Sequence, residues 1–98
     1  MKTMENQVKN KILILTTEGC EACDIAKNNL NAAILQTSAE IEVETKDWHD
    51  VDKDFIKKQR INDFPTVIYF VNDKIVNKAV GTYPSAVYLR WIDIHFKY

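Results

Sequence analysis

The chain has little of whatever would staple it, anchor it or charge it strongly. Of its 98 residues, two are cysteine, two glycine and two proline. No stretch approaches the roughly 20 apolar residues of a membrane-spanning helix. Residues 1–10 hold no apolar run of the secretory kind, so the expected location is the cytoplasm. Thirteen basic side chains stand against 14 acidic ones, a formal net charge of −1, and no basic excess supports a nucleic-acid role. The two cysteines, Cys20 and Cys23, would close too short a loop to brace a fold. There is no internal repeat, low-complexity segment or internal linker. What remains is an ordinary globular balance, 46% hydrophobic and 28% charged. A core can form at this length without a metal or structural disulfides. The expectation is one domain over residues 1–98, with 1–10 its only flexible piece.

The apolar pattern gives the order of elements. Ile12-Leu13-Ile14-Leu15 within residues 11–16 reads as a strand buried on both faces. Gly19 ends the connection that follows. From Glu21 to about Leu35, Ala22, Ile25, Ala26, Leu30, Ala33 and Ile34 recur at helical spacing. Residues 41–45 alternate as a half-exposed strand. Asp50 reads as the cap of a second helix, with Asp52 and Asp54 in its first turn and Phe55 and Ile56 on its apolar face. Residues 66–71 and 74–80 form a hairpin about Asn72-Asp73, a pair that tolerates positive φ. Thr82 or Ser85 caps a last helix, with Pro84 near its first turn and Tyr88, Leu89, Ile92 and Phe96 facing inward. The order is βαβαββα, an α/β domain with a four-stranded mixed sheet flanked by three helices. Its first crossover makes two strands parallel.

Gly19-Cys20-Glu21-Ala22-Cys23 falls where the first strand feeds the first helix. A cysteine at a helix N-terminus meets free N–H groups and the positive end of the helix dipole, both of which favour a thiolate. The thiolate is the attacking species in disulfide exchange. Two intervening residues place Cys23 one turn on, within disulfide reach of Cys20. In a reducing compartment such a pair is redox-active or metal-binding. The redox cycle is attack by Cys20 on a substrate disulfide, then resolution by Cys23. The alternatives are a pair that merely packs, or half of a zinc site. A zinc site needs about four ligands, and only His49 and His95 remain as good further candidates.

Taken with its surroundings, the motif resembles the thioredoxin superfamily over roughly residues 11–97. Cys20-Glu21-Ala22-Cys23 matches the CxxC, Phe64-Pro65-Thr66 resembles the cis-proline segment, and Gly81 matches a glycine after the hairpin. Lys46 stands where many thioredoxins carry a lysine. The resemblance implies a minimal thioredoxin fold. It also implies that Pro65 is cis and lies against the cysteines, and that backbone at Phe64 pairs with substrate. Thioredoxins usually read Trp-Cys-Gly-Pro-Cys; Gly19, Glu21 and Ala22 depart from this. Ile14 stands where thioredoxins bury an aspartate that assists the second cysteine. Glutaredoxins show Thr-Val-Pro and a Gly-Gly-Asp-like turn, whereas this chain has Asp63-Phe64-Pro65 and Gly81-Thr82-Tyr83.

The expected function is therefore disulfide reduction by dithiol exchange. Cys20 and Cys23 are catalytic, Phe64, Pro65 and Gly81 bind substrate, and Lys46 has a supporting role. No metal or cofactor is expected. The expected partners are a protein or small-molecule disulfide and a reductase as electron donor, with no nucleic acid or membrane, and the protein is expected to be a monomer. Two other readings stand beside it, a redox-responsive binding module and a metal- or cluster-binding protein of the same fold. Trp48, Tyr69 and Trp91 read as packing residues, His49 as a surface residue, and Tyr83 as a flank of the active face. Glu18, Glu21 and Asp24 read as a solvated helix start, with a field that opposes a Cys20 thiolate.

Overall fold

The apolar run of the first strand becomes the middle of a sheet because it can be buried on both sides. In a computed structural model, which describes residues 8–96, the strands are β1 (Asn10–Thr16), β2 (Ile41–Asp47), β3 (Thr66–Val71) and β4 (Lys74–Val80). The helices are α1 (Glu21–Ile34), α2 (Lys53–Lys58) and α3 (Ser85–His95). The sheet order is β2-β1-β3-β4, with β1 and β2 parallel and the other pairs antiparallel. This is the expected βαβαββα order in a four-stranded mixed sheet.

The two-residue period of a strand divides the core into layers. Ile12 and Ile14 of β1, with Val67 and Tyr69 of β3, pack against Ala26, Leu30 and Ala33 of α1 and Tyr88, Ile92 and Phe96 of α3. Leu13, Leu15 and Ile68 point the other way and meet Ile61, with Val51, Phe55 and Ile56 around α2. Fully burying a side chain such as Leu30 contributes roughly 1.5–3 kcal/mol. In the first layer the Tyr69 hydroxyl donates to the Tyr88 carbonyl at 3.2 Å. The Tyr88 hydroxyl accepts from the Tyr83 N–H at 3.3 Å. Burial pushes both phenols above their ordinary range, so both hydroxyls stay neutral. At the hairpin, Asn72 (φ 51°) and Asp73 (φ 69°) adopt the left-handed turn their side chains allow.

Several local expectations are corrected. Asp52, not Asp50, caps α2, its side chain accepting from the Asp54 N–H at 3.1 Å. Asp50 instead closes a single 3₁₀ turn, Trp48–Asp50, because Asp47 has already turned the chain by accepting from the His49 N–H. Thr82 and Ser85 do not cap α3. Pro84 holds that position without a side-chain bond, because the Thr82 hydroxyl is used on the Ala22 carbonyl. Ile25 and Ala22 face solvent, since Cys23, Ala26, Leu30 and Ala33, with Ile34 packed at their end, fill the inward stripe. The alternating β2 lies at a sheet edge and buries none of its residues fully. The flexible piece expected over residues 1–10 lies mostly outside the described residues. Within them, Asn10 opens β1 and Lys9 exchanges hydrogen bonds with Asn72.

Candidate active site

The carboxyl end of β1 delivers the two cysteines to the start of α1. Gly19 precedes them at φ +71°, a conformation that side-chain-bearing residues adopt at a cost. A Cβ there would meet nothing within 4 Å, so glycine is required by the turn and not by crowding. Cys20 is the N-cap of α1, and its Sγ accepts from the Cys23 N–H at 3.0 Å. Cys20 and Cys23 are bonded, with Cα atoms 5.3 Å apart. Their exposures differ. Cys23 is 2% exposed, whereas Cys20 is only half-buried and opens on a cleft of about 350 Å³. A substrate sulfur approaching from solvent therefore meets Cys20 first.

A second wall comes from the start of β3 and the end of β4. The Phe64–Pro65 peptide bond is cis. Pro65 is buried and its carbonyl accepts from the Gly81 N–H at 2.8 Å. The next residue, Thr82, donates its hydroxyl to the Ala22 carbonyl at 3.0 Å, inside the CxxC motif. Asn29 of α1 donates to the Tyr83 carbonyl at 2.9 Å. These bonds bring Pro65, Gly81 and the cysteine pair to one end of the sheet. Thr82 and Asn29, which sequence reasoning gave no part in the site, join the two walls. Their signal was faint: a polar residue beside Gly81, and another on the inner edge of α1.

Charge around the motif is mixed. Glu18, Glu21 and Asp24 are exposed, but the Lys27 ammonium lies 3.8 Å from the Asp24 carboxylate. That partial neutralisation leaves Glu18 and Glu21 as the nearer uncompensated charges. Lys46 sits at the end of β2 with its ammonium 3.4 Å from Glu44, which also pairs with Lys11 at 2.9 Å. The Lys11 hydrogen bond is the main reason the Glu44 carboxyl is held below its usual range. Lys46 reaches the β1 end only through its backbone, whose carbonyl accepts from Thr16 Oγ1. His49 is occupied by Asp47, Nδ1 to Oδ1 at 2.7 Å. No group of three or more His, Cys, Asp or Glu among the described residues is placed so that it could hold a metal ion. Ile14, 1% exposed, is an apolar residue of the core, and the buried polar residues described are Asn10 and Thr66, neither of them an acid.

Trp48 has a larger part than packing. Its Nε1–H donates to Thr17 Oγ1 at 3.2 Å, and its ring stacks on Phe64 with centroids 6.0 Å apart. It thus connects the loop before Cys20 to the residue before Pro65. Trp91 and Tyr83 pack together at 5.1 Å against Tyr88, on the α3 side.

No family model and no curated protein sequence matches the chain. Among solved structures it is similar to thioredoxin-2 of the malaria parasite, with 16% identity over 91% of this chain and 85% of that one, TM-score 0.76. It is also similar to a mutant thioredoxin from Halobacterium salinarum, with 14% identity over 92% and 77%, TM-score 0.75. Chloroplastic thioredoxin z matches at 16% identity over 94% and 82%, TM-score 0.71. At such identities the likeness is one of fold. The chain has a thioredoxin fold, with a CxxC pair at its first strand–helix junction.

Proposed function

We propose that the protein is a thiol–disulfide oxidoreductase that reduces disulfides by dithiol exchange. The observation that carries this reading is the asymmetry of the cysteine pair at the head of α1. Cys20 is partly exposed and accepts a backbone N–H, while Cys23 is buried behind it. The Cys20 thiolate attacks one sulfur of a substrate disulfide, and the other substrate sulfur leaves as a thiolate. The Cys23 thiolate then attacks Cys20 Sγ, the second substrate sulfur leaves, and the Cys20–Cys23 bond forms. Two electrons pass from the pair to the substrate, whose two sulfurs take up protons. With no buried carboxylate among the described residues, the Cys23 proton passes to water or to the departing thiolate. Phe64, Pro65 and Gly81 form the substrate-side wall, and Lys46, its ammonium held by Glu44, has only a minor supporting role at the end of β2.

The substrate is a polypeptide or small disulfide, a reductase recharges the pair, and the protein acts as a monomer in the cytoplasm. No helix among the described residues is long and apolar enough to cross a membrane. Catalysed reduction of an insulin-like disulfide, with dithiothreitol as electron source, tests the proposal. Turnover above the dithiothreitol background that vanishes in Cys20→Ser supports it. No acceleration by wild type favours the redox-responsive binding module.

A further inference from the structure

The second core layer is covered incompletely. α2 is only six residues long and buries none of them fully. Between it, the 3₁₀ turn and the chain leading to β3 lies a groove of about 470 Å³. Trp48, Val51, Ile56 and Ile61 line its apolar surface. The charged residues that line it are all cationic: Lys53, Lys57 and Arg60, without a single carboxylate. All three are exposed, and none forms an ion pair with another described residue. Trp48 is also the side chain that bonds to Thr17 and stacks on Phe64. The groove therefore shares a wall with the loop that carries Cys20. The cleft at Cys20 itself carries mixed charge, being lined by Glu21, Asp24 and Lys27.

We propose that this groove docks an acidic polypeptide segment, one apolar side chain flanked by carboxylates, belonging to the substrate whose disulfide Cys20 attacks. The inference rests on the oxidoreductase reading above and names its substrate class. An apolar anchor fills the space that α2 leaves open, and carboxylates meet the unpaired cations at the rim. Binding at a site that joins the catalytic loop through Trp48 raises the local concentration of the attached disulfide. The small cleft at Cys20 then need not supply all the recognition.

The test uses two synthetic peptide disulfides that differ only in a tail, a leucine flanked by two aspartates or by two lysines. Wild type is expected to reduce the acidic peptide with a kcat/KM about tenfold higher at low salt, a difference of about 1.4 kcal/mol. Added salt should shrink the preference, and the double variant Lys57→Glu, Arg60→Glu should reverse it. Using the ratio of the two peptides within each variant cancels any general loss of activity. Equal rates, a preference for the basic tail, or a preference that survives the double variant would each overturn the proposal. The same tails without a disulfide, titrated by tryptophan fluorescence, separate the two levels. If no disulfide is turned over, the oxidoreductase reading fails. The groove then stands only if the acidic tail alone binds more tightly and the difference is lost in the double variant.

Discussion

Reversing the charge at position 21 should change the chemistry of Cys20 without touching either sulfur. Glu21 is the first residue of α1, exposed, and adjacent to the cysteine. At a separation on the order of 7 Å and an effective dielectric near 60, its carboxylate opposes the thiolate by about 0.8 kcal/mol. The N-terminus of α1, represented directly by the Cys23 N–H on Cys20 Sγ, acts oppositely with about 0.3–1 kcal/mol. Glu18 adds to the opposition, while Asp24 is partly neutralised by Lys27. The carboxylates thus offset the helix, and the thiolate gains little net stabilisation. Glu21→Lys removes one repulsion and adds an attraction, about 1.6 kcal/mol together, or roughly a fifteenfold increase in the ionisation constant. The disulfide should become more oxidising by up to about 35 mV, because the reduced, ionised form is favoured. Thiolate absorbance against pH reads the first effect, and equilibration with a glutathione couple reads the second. Both should weaken with salt. An unchanged titration in Glu21→Lys, or a shift to higher pH, would refute the reasoning.

Three further outcomes follow from named contacts. Tyr69→Phe removes one buried hydrogen bond and should cost about 1 kcal/mol, a loss of roughly 4–8 °C in Tm by thermal melting; no loss would mean the bond contributes nothing. Because burial raises the Tyr69 phenol above its ordinary value of 10.0, the neutral form is favoured in the fold. Stability is then fully present below that pH and falls above it, less steeply in Tyr69→Phe. Lys46→Ala should change exchange rates less than about twofold, since an exposed pair with Glu44 already occupies the ammonium; a tenfold loss would give Lys46 a direct part.

The central layer was legible because its pattern is unambiguous. Four consecutive apolar residues admit burial on both faces, and Ile12, Ile14, Leu13 and Leu15 divide between two core clusters. Asn72-Asp73 carries its turn in its own side chains. The cysteine pair was legible for a chemical reason, since few arrangements place two thiols one helical turn apart after a strand. What was illegible depends on partners distant in sequence. The Thr82 hydroxyl suits either a helix cap or the Ala22 carbonyl, and only the fold decides. Trp48 read as packing because nothing local says that its N–H reaches Thr17. The groove beside α2 is a gap, and a gap leaves no periodicity in a sequence. α2 itself is short enough that either Asp50 or Asp52 satisfied the cap pattern, and the 3₁₀ turn settled it by using Asp50.

The central claim is that Cys20 attacks and Cys23 resolves. Mass spectrometry of each single serine variant, first reduced and then offered a protein disulfide, tests it most directly. Cys23→Ser should hold a mixed disulfide on Cys20, because the attack proceeds and the resolving thiol is gone. Cys20→Ser should hold none, because Cys23 is 2% exposed. Adducts on Cys23 in Cys20→Ser, with none on Cys20 in Cys23→Ser, would contradict the account.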